Sequence, residues 1–188
     1  NNGPDVDTVT AKENVKLEAA DGKIEIYGKT STEIGDVTLK AANKEYIPGE
    51  GGQNIIIDDN GQVVSGRDVN LTAKNGDLHV TDAVSAQRDI NATTETQGDI
   101  LLDNDLSVSR DLNLQTETGD INVKGTAMAG RNISLLSKNA GDITAGSVTA
   151  GNGATLAAKT GDITADSVNA GSDALITTVE GNVDANSV

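Results

Sequence analysis

The chain has no Cys, Phe or Trp, and only two Tyr, two Pro, one Met and one His among 188 residues. Without Cys there can be no disulfide, thiolate nucleophile or thiolate-ligated metal. Without aromatics the interior loses the side chains that supply most area in a thick globular core. A thin core of Val, Ile, Leu and Ala is what remains. Few prolines argue against a Pro-rich disordered chain. Basic residues are also short: 14 Lys and Arg face 29 Asp and Glu, a formal charge of −15. That balance opposes nucleic-acid binding, which needs a cationic surface, and attraction to anionic membranes. No apolar run is long enough to insert into a bilayer. The first residues, Asn1-Asn2-Gly3-Pro4, show neither the basic nor the apolar region of a signal peptide.

What is present is a repeat. Gly76-Asp77-Leu78, Gly98-Asp99-Ile100, Gly119-Asp120-Ile121, Gly141-Asp142-Ile143 and Gly161-Asp162-Ile163 share one pattern, with Gly181-Asn182-Val183 as a weakened copy and Gly22-Lys23-Ile24 as an early one. From Gly76 to Gly181 the glycines are 22, 21, 22, 20 and 20 residues apart. A second marker runs Arg67-Asp68-Val69, Arg88-Asp89-Ile90, Arg110-Asp111-Leu112 and Arg131-Asn132-Ile133. A third is an apolar residue before a small one, aligned as Val64, Val84, Leu106, Met128, Val148 and Val168.

Within each segment apolar and polar residues alternate, as in Val69, Leu71 or Ile121, Val123. Period two means extended strands with one inward face, and no segment shows the helical period. Three short strands cannot bury that face alone, whereas stacking each on its copy one unit later can. The sequence therefore predicts an all-β fold: a right-handed parallel β-helix with three short strands per coil and about eight coils of 20–22 residues. Right-handedness follows the preference of parallel crossovers. At about 4.8 Å per coil the rod is on the order of 40 Å long. The expected layout is an N-terminal edge or partial coil at 1–14 and one β-helix at 15–188. Val37 to Val69 spans 32 residues, and the excess, 43–53, is expected to project as a loop. Ala145, Ala165 and Ala185 replace larger inward residues, so the rod should narrow toward its C-terminal end.

The units GRNISLLSKNAGDITAGSVTA and GNGATLAAKTGDITADSVNA resemble the repeats of filamentous-haemagglutinin-type exoproteins, large adhesins exported by two-partner secretion. The resemblance covers about Val15 to Val188. It implies an internal segment of a non-catalytic shaft, secreted or displayed at the outer membrane of a Gram-negative bacterium. Its expected partners are an outer-membrane transporter during export and a host or bacterial cell-surface glycan or protein. Absence of Cys fits export of an unfolded chain, and no Asn-Pro-Asn motif of the family's secretion domain is present.

Several residues stand out as candidates. The column Asp77, Asp99, Asp120, Asp142 and Asp162 reads either as a Ca²⁺-binding ladder or as turn chemistry, with each carboxylate accepting backbone N–H groups. No Gly-Gly-x-Gly-x-Asp calcium repeat accompanies it, so no cofactor is expected. Arg67, Arg88, Arg110 and Arg131 form a strip for an acidic glycan or protein, or compensate neighbouring aspartates. Asn70, Asn91 and Asn113 should face outward as an amide ladder, which could meet sugar hydroxyls or simply suit parallel stacking. Tyr46, in the expected loop, and Tyr27 are candidate anchors for a partner. His79 should face solvent, and a single His supports neither a triad nor a metal site.

Three other roles compete. The same shaft could carry a contact-dependent toxin. A β-helical polysaccharide-degrading enzyme would want aromatics to hold sugar rings. An ice-binding solenoid would want repeated Thr-x-Thr, and Thr8-Val9-Thr10 has no copies.

Overall fold

Alternation of apolar and polar residues builds every element of the chain. A computed structural model describes residues 8–43 and 52–188, and among these there are strands and turns but no helix. The strands stack in parallel into a β-solenoid of about eight coils, each with up to three faces.

Face one is an eight-stranded sheet: β2 (Val15–Ala19), β5 (Val37–Ala41), β8 (Val69–Asn75), β11 (Ile90–Gln97), β14 (Leu112–Thr118), β16 (Ile133–Ala140), β18 (Ala154–Thr160) and β20 (Ala174–Glu180). Face two begins with β3 (Ile24–Ile26), β6 (Gln53–Ile57), β9 (Asp77–Val80) and β12 (Ile100–Leu102). Face three begins with β1 (Val9–Ala11), β4 (Lys29–Thr32), β7 (Gln62–Ser65), β10 (Val84–Ala86) and β13 (Leu106–Val108).

Later coils run faces two and three together. β15 (Ile121–Ala129) pairs with β12 through its first half and with β13 through its second. β17 (Ile143–Ala150) and β19 (Ile163–Ala170) continue both halves, and β21 (Val183–Ala185) the first. The corner that was Asp103-Asn104-Asp105 in one coil becomes Lys124-Gly125 and then Gly146. Ile121 and Ala127 are six residues apart, Ile143 and Val148 five, and the pairing shifts register between them. A small, flexible residue there lets the strand bend without a separate turn. Three short strands per coil thus describes the early coils, and two longer strands the late ones.

The core is one continuous aliphatic column. Leu39, Leu71, Ala92, Leu114, Leu135 and Leu156 stack on face one, and Ile55, Leu78, Ile100, Ile121, Ile143 and Ile163 on face two. Full burial of each such Leu or Ile side chain contributes roughly 1.5–3 kcal/mol. Ala145 and Ala165 are buried at the narrowed end. In the last coil Val183 is 47% exposed, since no further coil covers it in the structure.

One corner depends on glycine. Gly22, Gly76, Gly98, Gly119, Gly141, Gly161 and Gly181 all have φ between 120° and 154°. A Cβ on Gly119 would lie 2.2 Å from the carbonyl oxygen of Gly98 in the preceding coil. Both the backbone conformation and the close approach exclude other residues. Beside it Thr94 and Thr116, fully buried on face one, donate their hydroxyls to the carbonyls of Gly98 and Gly119 at 2.9 and 2.8 Å.

Two expectations change. The third marker aligned Val64 and Met128 with Val84, Leu106 and Val148. The observed register instead pairs Val84 with Val63 and Leu106 with Ala127. Val63 and Ala127 are fully buried, and Met128 is 43% exposed. Hydrophobicity favoured the larger neighbour, but constant corner length fixes the phase: Val63, Val84, Leu106, Ala127, Val148 and Val168 each precede the next face-one strand by the same six residues. A one-residue slip reverses the face. His79 does point away from the core, yet it is half-buried against Asp103 rather than free in solvent. Tyr46 and most of the 43–53 segment lie outside the described residues, and Gln53, its last member, opens β6.

Candidate functional site

The corner leading into face one carries the arginines. Because each backbone N–H here bonds the carbonyl one coil below, as Arg110 does to Arg88 and Arg131 to Arg110, the side chains rise in a column. Each reaches the aspartate of the preceding coil: Arg67 to Asp36 at 3.5 Å, Arg88 to Asp68 at 3.0 Å, Arg110 to Asp89 at 3.4 Å and Arg131 to Asp111 at 3.3 Å. Four cations thus lie against four carboxylates and the corner is electrically balanced. Its arginine side chains stay partly exposed, between 39% and 53%.

Those aspartates also carry a ladder of their own. The N–H of Asp36 donates to Asn14 Oδ1 at 2.8 Å, and Asp68, Asp89, Asp111 and Asn132 donate in turn to the residue one coil below at 3.1–3.2 Å. Sequence inspection marked Arg and missed this second role of the Asp that follows it. The signal was there: Asn, which cannot form an ion pair with Arg but can accept an N–H, takes the slot at Asn14 and Asn132.

The Gly-Asp corner repeats the device. Asp99, Asp120, Asp142 and Asp162 donate their N–H groups to Oδ1 of Asp77, Asp99, Asp120 and Asp142 at 2.8–2.9 Å, and Asn182 to Asp162 at 2.7 Å. One oxygen of each carboxylate is therefore engaged by the backbone. Burial pushes the Asp99 carboxyl up from its ordinary value. The Asp120 N–H opposes this, and the charges of Asp120 and Asp77 reinforce it. Among the described residues no group of three or more His, Asp or Glu converges as a metal site.

A third cluster links three coils on face two. Asp103 is ion-paired with Lys124 at 2.7 Å and lies 3.0 Å from His79 Nε2. Lys124 first, and His79 second, hold the Asp103 carboxyl below its ordinary value. Sequence reading could not find this group, since the three residues lie in three different coils.

Tyr27 is 54% exposed beside Glu25. On face three an open groove of about 440 Å³ runs over Ser107, Met128 and Thr149, with Gly130 and Gly151 along one edge. The structure brings the four arginines together in one column and leaves Tyr27 on a different corner.

No known protein family, curated protein or solved structure matches this chain. Its chemistry is accordingly read from geometry. Polar side chains at both corners bind one coil to the next, from Asn14 to Gly153 at the first and from Asp77 to Asn182 at the second.

Proposed function

We propose that this chain is a non-catalytic shaft segment of a large exported bacterial adhesin, secreted or displayed at the outer membrane. The observation that carries the reading is how the charged residues are used. Carboxylates bridge one coil to the next at the Arg-Asp and Gly-Asp corners alike, joined at the first by guanidinium groups. A rod whose charged side chains hold its own coils together is suited to length and stiffness. Contacts along it act through repetition, weak singly and strong together. The resemblance to filamentous-haemagglutinin-type repeats supports the same role, including export through an outer-membrane transporter and a glycan or protein of another cell as partner.

One coil, 141–160, is the unit to remove, because Gly161 would then follow in the register of Gly141. In the full-length exported protein the deletion should shorten the rod and leave export and surface display intact. Loss of display would overturn the reading. So would turnover of polysaccharide by the purified 188-residue chain, which an enzyme of this fold would give.

A further inference from the structure

Face one presents the outward surface of the eight-stranded sheet. From β8 to β20 two of its outward columns contain no charged residue, while a third, at the ends of the same strands, carries Lys74, Glu95, Glu117, Lys138 and Lys159. At the centre one column is Asn70, Asn91 and Asn113, and the other is Thr72, Thr93 and Gln115, paired in register across β8, β11 and β14. The columns repeat about every 4.8 Å along the rod and lie about 6.6 Å apart along a strand.

The amides are fixed in orientation. Asn91 Nδ2 donates to Asn70 Oδ1 at 3.0 Å and Asn113 Nδ2 to Asn91 Oδ1 at 2.9 Å. Each such bond uses one N–H of an amide that has two, and one lone pair of an oxygen that has two. Thr72, Thr93 and Gln115 make no side-chain hydrogen bond to the described residues. Over these three coils the face therefore offers a periodic array of donors and acceptors, with its Asn amides already ordered, and Leu136, Ala157 and Leu175 make it less polar beyond.

We propose that this face binds an uncharged polysaccharide lying along the solenoid axis. The proposal rests on the shaft reading and gives the shaft its ligand class. Charge selects among occupants. A polyanion is repelled by a molecule of net charge −15 and meets no cation in the two uncharged columns, while in the third column Lys138 is already paired with Glu117 at 3.4 Å. A second copy, face to face, meets the same repulsion. A neutral glycan is not repelled, and its repeating hydroxyls both donate and accept, as the array does. Without aromatic platforms each sugar is held weakly, so binding grows with chain length.

Native affinity electrophoresis of the 188-residue chain tests this, with hydroxyethylcellulose and dextran as neutral probes and polygalacturonate as the acidic one. At least one neutral polymer should reduce relative mobility twofold or more, and polygalacturonate should not. Asn91→Asp combined with Gln115→Glu should abolish the retardation, while Thr144→Asp, outward on face two, should keep it. Circular dichroism and thermal melting check that all three chains are folded. Lack of retardation by either neutral polymer overturns the inference, as does equal loss in the face-two variant. A dimer in sedimentation that the face-one variant dissolves also overturns it, in favour of a second copy. None of these results bears on export and display, from which the shaft reading is judged.

Discussion

The backbone N–H of Asp120 donates to the carboxylate of Asp99, one coil below, at 2.8 Å. The acceptor is needed and the charge is not. Asp99 lies between Asp77 and Asp120, and burial together with these neighbours raises its proton affinity. A carboxyl whose folded value is raised costs stability once pH exceeds its unfolded value of about 3.9. Asp99→Asn keeps the acceptor and removes the charge, as Asn132 does in the other ladder, where it accepts the Gly153 N–H at 3.2 Å. Its melting temperature should exceed that of the parent at pH 7, and the gain should vanish near pH 3. Asp99→Ala should instead lose about 1 kcal/mol, because the Asp120 N–H is left without its partner. Thermal melts of the three chains at both pH values check both statements.

Gly119 should tolerate no side chain. Ala there meets the Gly98 carbonyl and must adopt a φ of 143°. The expected cost is at least about 1–3 kcal/mol from backbone strain alone. Urea unfolding of Gly119→Ala measures it, and the parent's stability would refute the close packing of this corner.

The register of face three predicts opposite outcomes at neighbouring positions. Ala127 is fully buried and Met128 exposed. Ala127→Asp should unfold the chain or cost several kcal/mol as a buried, unpaired charge. Met128→Asp should change stability by less than about 0.5 kcal/mol. If the two variants melted in the reverse order, the register would be off by one residue.

At the arginine corner, Arg110 pairs with Asp89 at 3.4 Å and with Asp111 at 3.8 Å, partly exposed to solvent. Arg110→Ala should cost about 0–1 kcal/mol, with the loss shrinking at high salt. Arg110→Glu should cost more, since it sets three carboxylates together. Salt-dependent melting curves distinguish the two.

Much of this was legible in the residues. The Gly-Asp-Ile spacing gave the coil length, because only glycine satisfies a corner with positive φ and a carbonyl two ångströms away, as at Gly119. Alternation in Val69-Asn70-Leu71 gave the inward face. The third face was harder. Val63-Val64 and Ala127-Met128 each offer two apolar neighbours, and hydrophobicity cannot choose between them. Corner length chose. The change from three strands per coil to two was hidden for a similar reason: Gly125 and Gly146 mark a flexible point without saying whether the strand turns or bends.

The candidate residues divide in the same way. Sequence showed that the four arginines and the two aspartate series repeat, and so that they stack. Only the folded chain assigned their partners, because Arg88 meets Asp68 and Asp120 meets Asp99 across a full coil of chain. His79, Asp103 and Lys124 carry no shared motif and come together solely through stacking. A repeat is a local pattern and is written in the sequence. Which face a residue takes and what it touches depend on how each coil closes onto the last, and tertiary packing decides that.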